Sequence, residues 1–319
     1  MRSRVRILLL AGALVVTTGP LAASAQPAID PRYEVSVVDL LASPEGRALL
    51  EAFRSLRRDY LGEAEAARLL EGALRGMVDA LGNPYVTYLD ADEVAADRRE
   101  ARDPDVVEVG LIGDLAYLRL PSFDSERAGE RFTTELERLL EGGVTGVIMD
   151  LRGNPGGLLL GGLQVLDLFL SEVVLGYRAT RFGQVPMGFA NPRAVELPLA
   201  VLIDRDTAST AEIVAGALQT KGRARLYGEV SAGKGVGQST VPLSDGGELR
   251  LVTFIWALPD GRSVDGWGLT PDVPVRWETA RVDPADLAQV VERPDLDPVL
   301  AAAVRDLGRL DSAGTPLVP

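Results

Sequence analysis

From residue 105 onward, unbroken apolar runs alternate with segments of helical period, and that alternation narrows the possible folds more than any other feature. VTGVIMDL and LPLAVLID are such runs. A strand with one wet face alternates apolar and polar residues. A strand without alternation must be covered on both faces, as in parallel sheets. LLLGGLQVLDLFL follows the first run and TAEIVAGALQTKG the second, and both read as helices. The β-α alternation predicts an α/β core with a mostly parallel central sheet over residues 105–280. VVEVGLI and LAYLRL flank Gly113-Asp114 and predict a hairpin, with a helix after it from about Ser125 to Leu140. ARLYGE, GQSTVPLS and ELRLVTFIWAL predict further strands.

Residues 26–104 read as a helical region. In LLASPEGRALLEAFRSLRRDY and EAEAARLLEGALRGMVDAL the apolar residues recur every three and four positions. Ser43-Pro44-Glu45 resembles a helix start, and Gly82-Asn83-Pro84 stops the second helix. PYVTYLDADEVAADRREARD then runs polar and charged. The apolar stripes of residues 27–80 exceed what two isolated helices can bury, so this region is expected to bind an adaptor or a second copy. At the other end, residues 281–319 should hold one helix, over 297–309, and a fraying tail.

Residues 1–25 read as a secretory signal peptide. Arg2, Arg4 and Arg6 precede an apolar stretch from Ile7 to Val16, and Ala23-Ser24-Ala25 fits the cleavage site. The expectation is export to a bacterial periplasm with cleavage after Ala25, and no stable membrane span afterwards. The net charge is −13, and loss of those three arginines makes it −16. Such a surface repels nucleic acid and anionic membrane, so neither is an expected partner.

The chain has no histidine and no cysteine. That removes the Ser-His-Asp triad, cysteine nucleophiles and nearly all zinc sites, and no metal or cofactor is expected. Three loops sit where open α/β sheets bind ligands. They are Asp150 to Gly157, Asp206 to Thr210, and Ser231 to Gly235. Ser209 at a helix start could be a plain cap, or it could present its hydroxyl at the sheet edge with a helix dipole behind it. The glycines after Asn154 could form a mere tight turn, or bring a backbone N–H against a substrate carbonyl; Pro155 has none to offer. Gly228 to Lys234 matches the opening of a phosphate-binding loop. The match fails at Gly235, where a magnesium-binding Ser or Thr should stand, and VGQSTVPL reads as a strand rather than the required helix.

DLRGNPGGLL, DTASTAEIVAGALQ, GKGVGQ and LPDGRSVDGWGLTPDVPV, in that order, resemble the carboxyl-terminal processing peptidases, also called tail-specific proteases. LEGALRGMVDALGNPYVTYLDADE is similar to that family as well, so the resemblance spans most of residues 45–280. It implies a ClpP/crotonase-like core and a serine endopeptidase with a Ser/Lys dyad. On the matching positions Ser209 is the nucleophile, Lys234 the general base and Gln238 its support. The oxyanion donors would be the N–H groups of Thr210 and of Gly156 or Gly157. Two departures stand out. Only three residues separate Arg102 from Val106, which leaves no room for the PDZ domain of these relatives, and Thr220 stands where some of them carry an aspartate.

The expected substrate is therefore an exported, loosely folded polypeptide or its C-terminal tail. A lysine acts as a base at neutral pH only if its pKa falls from about 10.4 to roughly 7–8, which costs about 3–4 kcal/mol against the charged form. Burial would supply this, and an uncharged Gln238 could orient the amine without restoring the ammonium. The rival expectation is a catalytically idle binding or adaptor protein on the protease fold.

Overall fold

The computed structural model describes residues 36–100, 107–276 and 286–308. The expected signal peptide, residues 27–35 of the expected interaction region and the expected fraying tail lie outside the described residues. The chain divides into two compact units, residues 1–73 and 74–319.

The first unit holds α1 (Val37–Ala42), α2 (Pro44–Asp59) and the start of α3 (Ala66–Asp79). Ser43 sets the break between α1 and α2. Its hydroxyl accepts from Gly46 N–H, and Pro44 takes the first helical position, where a missing N–H costs nothing. The apolar stripes are real but uncovered. Leu40, Leu49, Leu56 and Leu70 are 45–58% exposed, and with Phe53 and Leu69 they line an apolar groove of about 320 Å³. No described helix is long and apolar enough to cross a membrane.

In the second unit, β1 (Thr87–Leu89) and α4 (Ala91–Glu100) precede the hairpin β2 (Glu108–Ile112) and β3 (Leu115–Arg119). Then come α5 (Ala128–Glu141), β4 (Gly146–Asp150), α6 (Leu159–Phe169), β5 (Val174–Thr180), β6 (Gly183–Phe189) and β7 (Leu199–Ile203). After these follow α7 (Thr210–Thr220), β8 (Arg225–Gly228), β9 (Val236–Pro242), β10 (Glu248–Ala257) and β11 (Val273–Pro274). The described chain ends in α8 (Leu287–Glu292) and α9 (Pro298–Leu307).

Six strands form a sheet in the order β11-β8-β7-β4-β3-β2, parallel except for β2. Every residue of β3, β4 and β7 is buried, which is why their sequences do not alternate. Along β4, Val147 and Met149 face the core shared with α5, α6 and α7, while Ile148 faces the core shared with α8 and α9. A buried ion cluster fastens α9. Arg152 pairs with Asp150 and Asp297, and Asp297 also caps α9 by accepting from Val299 and Leu300 N–H. Burial pushes the Asp150 carboxyl up, but Arg152 and the Tyr117 hydroxyl hold it below the usual carboxylate range. Arg152 thereby holds the Asp150–Gly157 loop to the C-terminal helix.

The remaining strands form a second, antiparallel sheet in the order β1-β10-β5-β6, with β9 also paired to β10. The sequence reading named β9 and β10 but neither their separate sheet nor β1, α4, β5 and β6. Most of β6 is exposed and β1 has three residues, so neither writes a long apolar run.

Candidate active site

Ser209 stands between β7 and α7 with φ 54° and ψ −119°. An ordinary N-cap residue is extended with negative φ, so Ser209 is more than a cap. A non-glycine residue in this region is strained and persists only where its surroundings over-determine it. They do so here. Asp204 Oδ1 accepts from Asp206 and Thr207 N–H, and the buried Thr207 hydroxyl donates to Leu151 O. Ala208 N–H donates to Asn154 O, and Ser209 N–H to Glu212 Oε2 at 2.9 Å.

The glycine loop is fitted to this turn. Gly156 has φ 99°, and a Cβ there would lie 2.8 Å from Ser209 Cβ. Gly157 has φ 129°, and a Cβ there would lie 2.4 Å from the Phe123 carbonyl carbon. Glycine is thus required at both positions, for conformation and for approach. The Thr210 hydroxyl donates to Gly157 O at 2.8 Å and closes the loop onto α7. Of the three amides considered for an oxyanion, that of Gly156 is engaged with Asn154 Oδ1 at 2.8 Å. Those of Gly157 and Thr210 have no hydrogen-bond partner among the described residues.

Glu212, which no sequence motif above includes as a site residue, binds the Ser209 and Lys234 loops together. It is fully buried on the first turn of α7. Its Oε2 accepts from Ser209 N–H and Lys234 N–H, both at 2.9 Å. Its Oε1 accepts from Gly233 N–H at 2.8 Å and the Ser231 hydroxyl at 2.5 Å. One carboxylate therefore fixes the backbone of Ser209 against that of Lys234. The signal was present in Ser209-Thr210-Ala211-Glu212, the S-x-x-E capping-box pattern.

Lys234 is half-buried at the entry to β9, and β9 is a strand, as VGQSTVPL suggested. Burial lowers its pKa and the nearby Arg250 lowers it further, against smaller opposing effects of Asp124 and Glu212. Its Nζ lies 5.5 Å from the centre of the Tyr85 ring. It forms no ion pair, and no hydrogen bond to Ser209 Oγ, among the described residues. Gln238 Nε2 donates to Tyr85 O at 2.8 Å, which leaves Gln238 Oε1 as the acceptor. Trp256 Nε1–H donates to Lys234 O and steadies the Lys234 backbone from β10.

All six residues singled out in the sequence line one cleft of about 460 Å³: Gly156, Gly157, Ser209, Thr210, Lys234 and Gln238. Asp124, Arg178 and Arg250 also line it. Thr220 is at the far end of α7 with its hydroxyl buried and unpartnered, and it is not among the lining residues.

Comparison with known proteins matches residues 114–275 to peptidase family S41, and residues 40–93 to the N-terminal domain described for the activating protease CtpB. A carboxyl-terminal-processing protease of Synechocystis sp. is 40% identical over 159 residues, covering 50% of this chain and 37% of that protein. A carboxy-terminal-processing protease of Bartonella bacilliformis is 32% identical over 240 residues, covering 69% of this chain and 54% of that protein. The chain thus spans about half, or less, of the length of these curated relatives. Among solved structures, a photosystem II D1 C-terminal processing protease superposes with a TM-score of 0.60 at 20% identity, covering 81% of this chain and 100% of that one. A lipoprotein from Streptococcus agalactiae gives 0.54 at 19% identity, covering 74% of this chain and 86% of that one. These two likenesses concern the fold.

Proposed function

The chain belongs to peptidase family S41, and on that premise we propose that it is a serine endopeptidase working through an acyl-enzyme. Ser209 Oγ attacks the scissile carbonyl while Lys234 Nζ takes its proton. The N–H groups of Thr210 and Gly157 receive the oxyanion, at the positive end of α7. The C–N bond then breaks, and the leaving amine departs with the proton from Lys234. Water, deprotonated by Lys234, hydrolyses the ester and returns Ser209. Gln238 Oε1 orients the amine and, being uncharged, leaves it neutral.

The observation that supports this most is the pairing in one cleft of a positive-φ serine with a lysine whose pKa burial lowers. A fully hydrated lysine would stay charged at neutral pH. The open distance between the two side chains fits a free enzyme, since catalytic hydrogen bonds commonly tighten only when substrate binds. We assign as substrates exported, loosely folded polypeptides or their C-terminal tails. The names of the curated relatives support tail processing, and the sequence pattern of residues 1–25 supports action in the periplasm.

The test is reaction of the purified protein with a serine-directed active-site reagent. Wild type should label and lose peptide-cleaving activity, and Ser209→Ala should not label. Equal labelling of both, or none of either, would favour an idle protease fold. Labelling should also rise with pH through an apparent pKa below that of free lysine, because only the neutral amine accepts the serine proton.

A further inference from the structure

Tyr85 lies outside the match to peptidase family S41, which begins at residue 114, and inside the match to the CtpB N-terminal domain over residues 40–93. Tyr85 precedes β1 and touches two of the three proposed catalytic side chains. Its ring lies beneath Lys234 Nζ, and its carbonyl accepts from Gln238 Nε2. We propose that Tyr85 is a positioning residue for the lysine base: its ring holds the protonated amine, and its carbonyl fixes which end of the Gln238 amide meets that amine. This rests on the reading of Lys234 as the base.

The Tyr85 backbone is well placed to do so. Its N–H donates to Asn83 Oδ1 at 2.9 Å, and Val86 N–H donates to Asn83 O at 3.1 Å. This Asx turn runs directly into β1, where Thr87 pairs with Arg250 and Leu89 with Glu248 on β10. The next helix is fastened to the same strand, through Asp97 to Arg250 and Arg98 to Glu248, both at 2.6 Å. The Tyr85 carbonyl is therefore held relative to β10, and through β10 relative to Gln238 and its neighbours on β9. A reversed Gln238 amide would set oxygen against the carbonyl oxygen, so the donor end must face Tyr85. Oε1 is then the end available to Lys234.

The ring acts differently on the two forms of the base. An aromatic face within about 6 Å attracts an ammonium and has little hold on a neutral amine. Tyr85 thus stabilises the charged lysine and loses its hold once the proton is lost. Other charged groups act on the same amine: Arg250 on β10, Asp124 after β3 and Glu212 on α7. Arg178 on β5 lines the same cleft. Neither carboxylate forms an ion pair with Lys234 among the described residues, and the amine lies 5.5 Å from the Tyr85 ring centre.

The test is the pH dependence of kcat/KM on an unstructured peptide. Tyr85→Leu keeps an apolar cover but removes the aromatic face. The acid limb should then move to lower pH, by about half a unit to one unit. Tyr85→Phe keeps the face and should restore the wild-type limb, and Tyr85→Trp, a stronger face, should move it to higher pH. A limb that stays in place in Tyr85→Leu, or a Phe variant that behaves like the Leu variant, overturns the inference. If Tyr85→Leu fails to fold, the order Trp above Phe decides, and equal limbs overturn it. Lys234→Ala separates the two readings. If that variant is active, the base assignment fails; if it is inactive while the Tyr85 variants leave the limb in place, only the role of Tyr85 fails.

Discussion

The strands that lead to Ser209 are buried at every residue, whereas β9, which leads away from Lys234, is buried only at Val236. The proposed nucleophile comes from the parallel sheet and the proposed base enters the antiparallel one. The turn that carries Ser209 is held on several sides, Ala208 by Asn154, Thr207 by Asp204 and Ser209 itself by Glu212. Lys234 is fixed through its backbone, while its amine has one aromatic neighbour. The contrast fits the roles proposed for the two groups. A nucleophile needs one angle of attack against fixed oxyanion donors, so strain at Ser209 is worth keeping. A base must change protonation and move by an ångström or so within each cycle, which a fully packed site would prevent.

The largest expected effects come from removing either side of this pair. Ser209→Ala and Lys234→Ala should each lower kcat/KM about a thousandfold or more, since residues that act as a unit fail together. Neither side chain is a core group, so unfolding temperatures should stay within about 2–4 °C of wild type. Lys234→Ala could even stabilise the fold, because burying a partly desolvated ammonium is unfavourable. Substantial activity in either variant would dissolve the division between a rigid nucleophile and a mobile base.

Next in size is Glu212, the residue that joins the two sides. In Glu212→Gln one accepting oxygen becomes an NH₂ donor, so either the Ser209 and Lys234 amides or the Gly233 and Ser231 donors lose their acceptor. A buried donor left unpaired costs about 1–3 kcal/mol. A loss of about 10–100-fold in kcat is expected with KM little changed. The sign of the pH effect is also fixed. The Glu212 charge favours the Lys234 ammonium, so its removal should shift the acid limb of kcat/KM to lower pH. A variant that only melts earlier, with wild-type kcat and limb, would make Glu212 a structural brace alone.

The difference in burial also explains what could be read from the sequence. The parallel strands β4 and β7 were legible because burial on both faces writes an unbroken apolar run. The antiparallel sheet was half legible. β9 and β10 showed as strands, but β5, β6 and β1 are partly wet and carry mixed residues. The candidate residues that converge on the cleft were legible through loop motifs, whose glycines the backbone requires at Gly156 and Gly157. Glu212 and Tyr85 were not, for opposite reasons. A glutamate in the first helical turn ordinarily faces water, so nothing but the capping-box spacing hinted at full burial. Tyr85 acts through a carbonyl, which no side-chain pattern records, and it lies some 150 residues away in sequence from its partner Gln238.

A smaller effect is expected at Gln238. It is half-buried on β9, and its proposed role is to orient the base without taking a proton. Gln238→Ala should cost about 3–30-fold in kcat/KM, the value of roughly one hydrogen bond to a group at the reacting centre. A loss as large as that of Lys234→Ala would mean that the base is as tightly specified as the nucleophile, and the two sides would then be alike.

The smallest expected effect concerns the substrate's end. A rigid nucleophile and fixed oxyanion donors can read a peptide backbone anywhere along a chain. Reading a terminal carboxylate needs a dedicated cation. Among the cleft residues, Arg250 is already paired with Asp97, and Lys234 must be neutral to react. Arg178 is exposed on β5, and an ion pair there is worth about 0–1 kcal/mol. α4 ends at Glu100 and β2 begins at Glu108, so this stretch has no length for a tail-binding domain. Amidating the C-terminus of one unstructured substrate should therefore change kcat/KM by less than about tenfold, or about 1.4 kcal/mol. The comparison is between the free and amidated forms of the same polypeptide at fixed salt. A much larger loss, removed by Arg178→Gln, would show that the antiparallel side carries a specific carboxylate site, and so is more closely built than its exposure suggests.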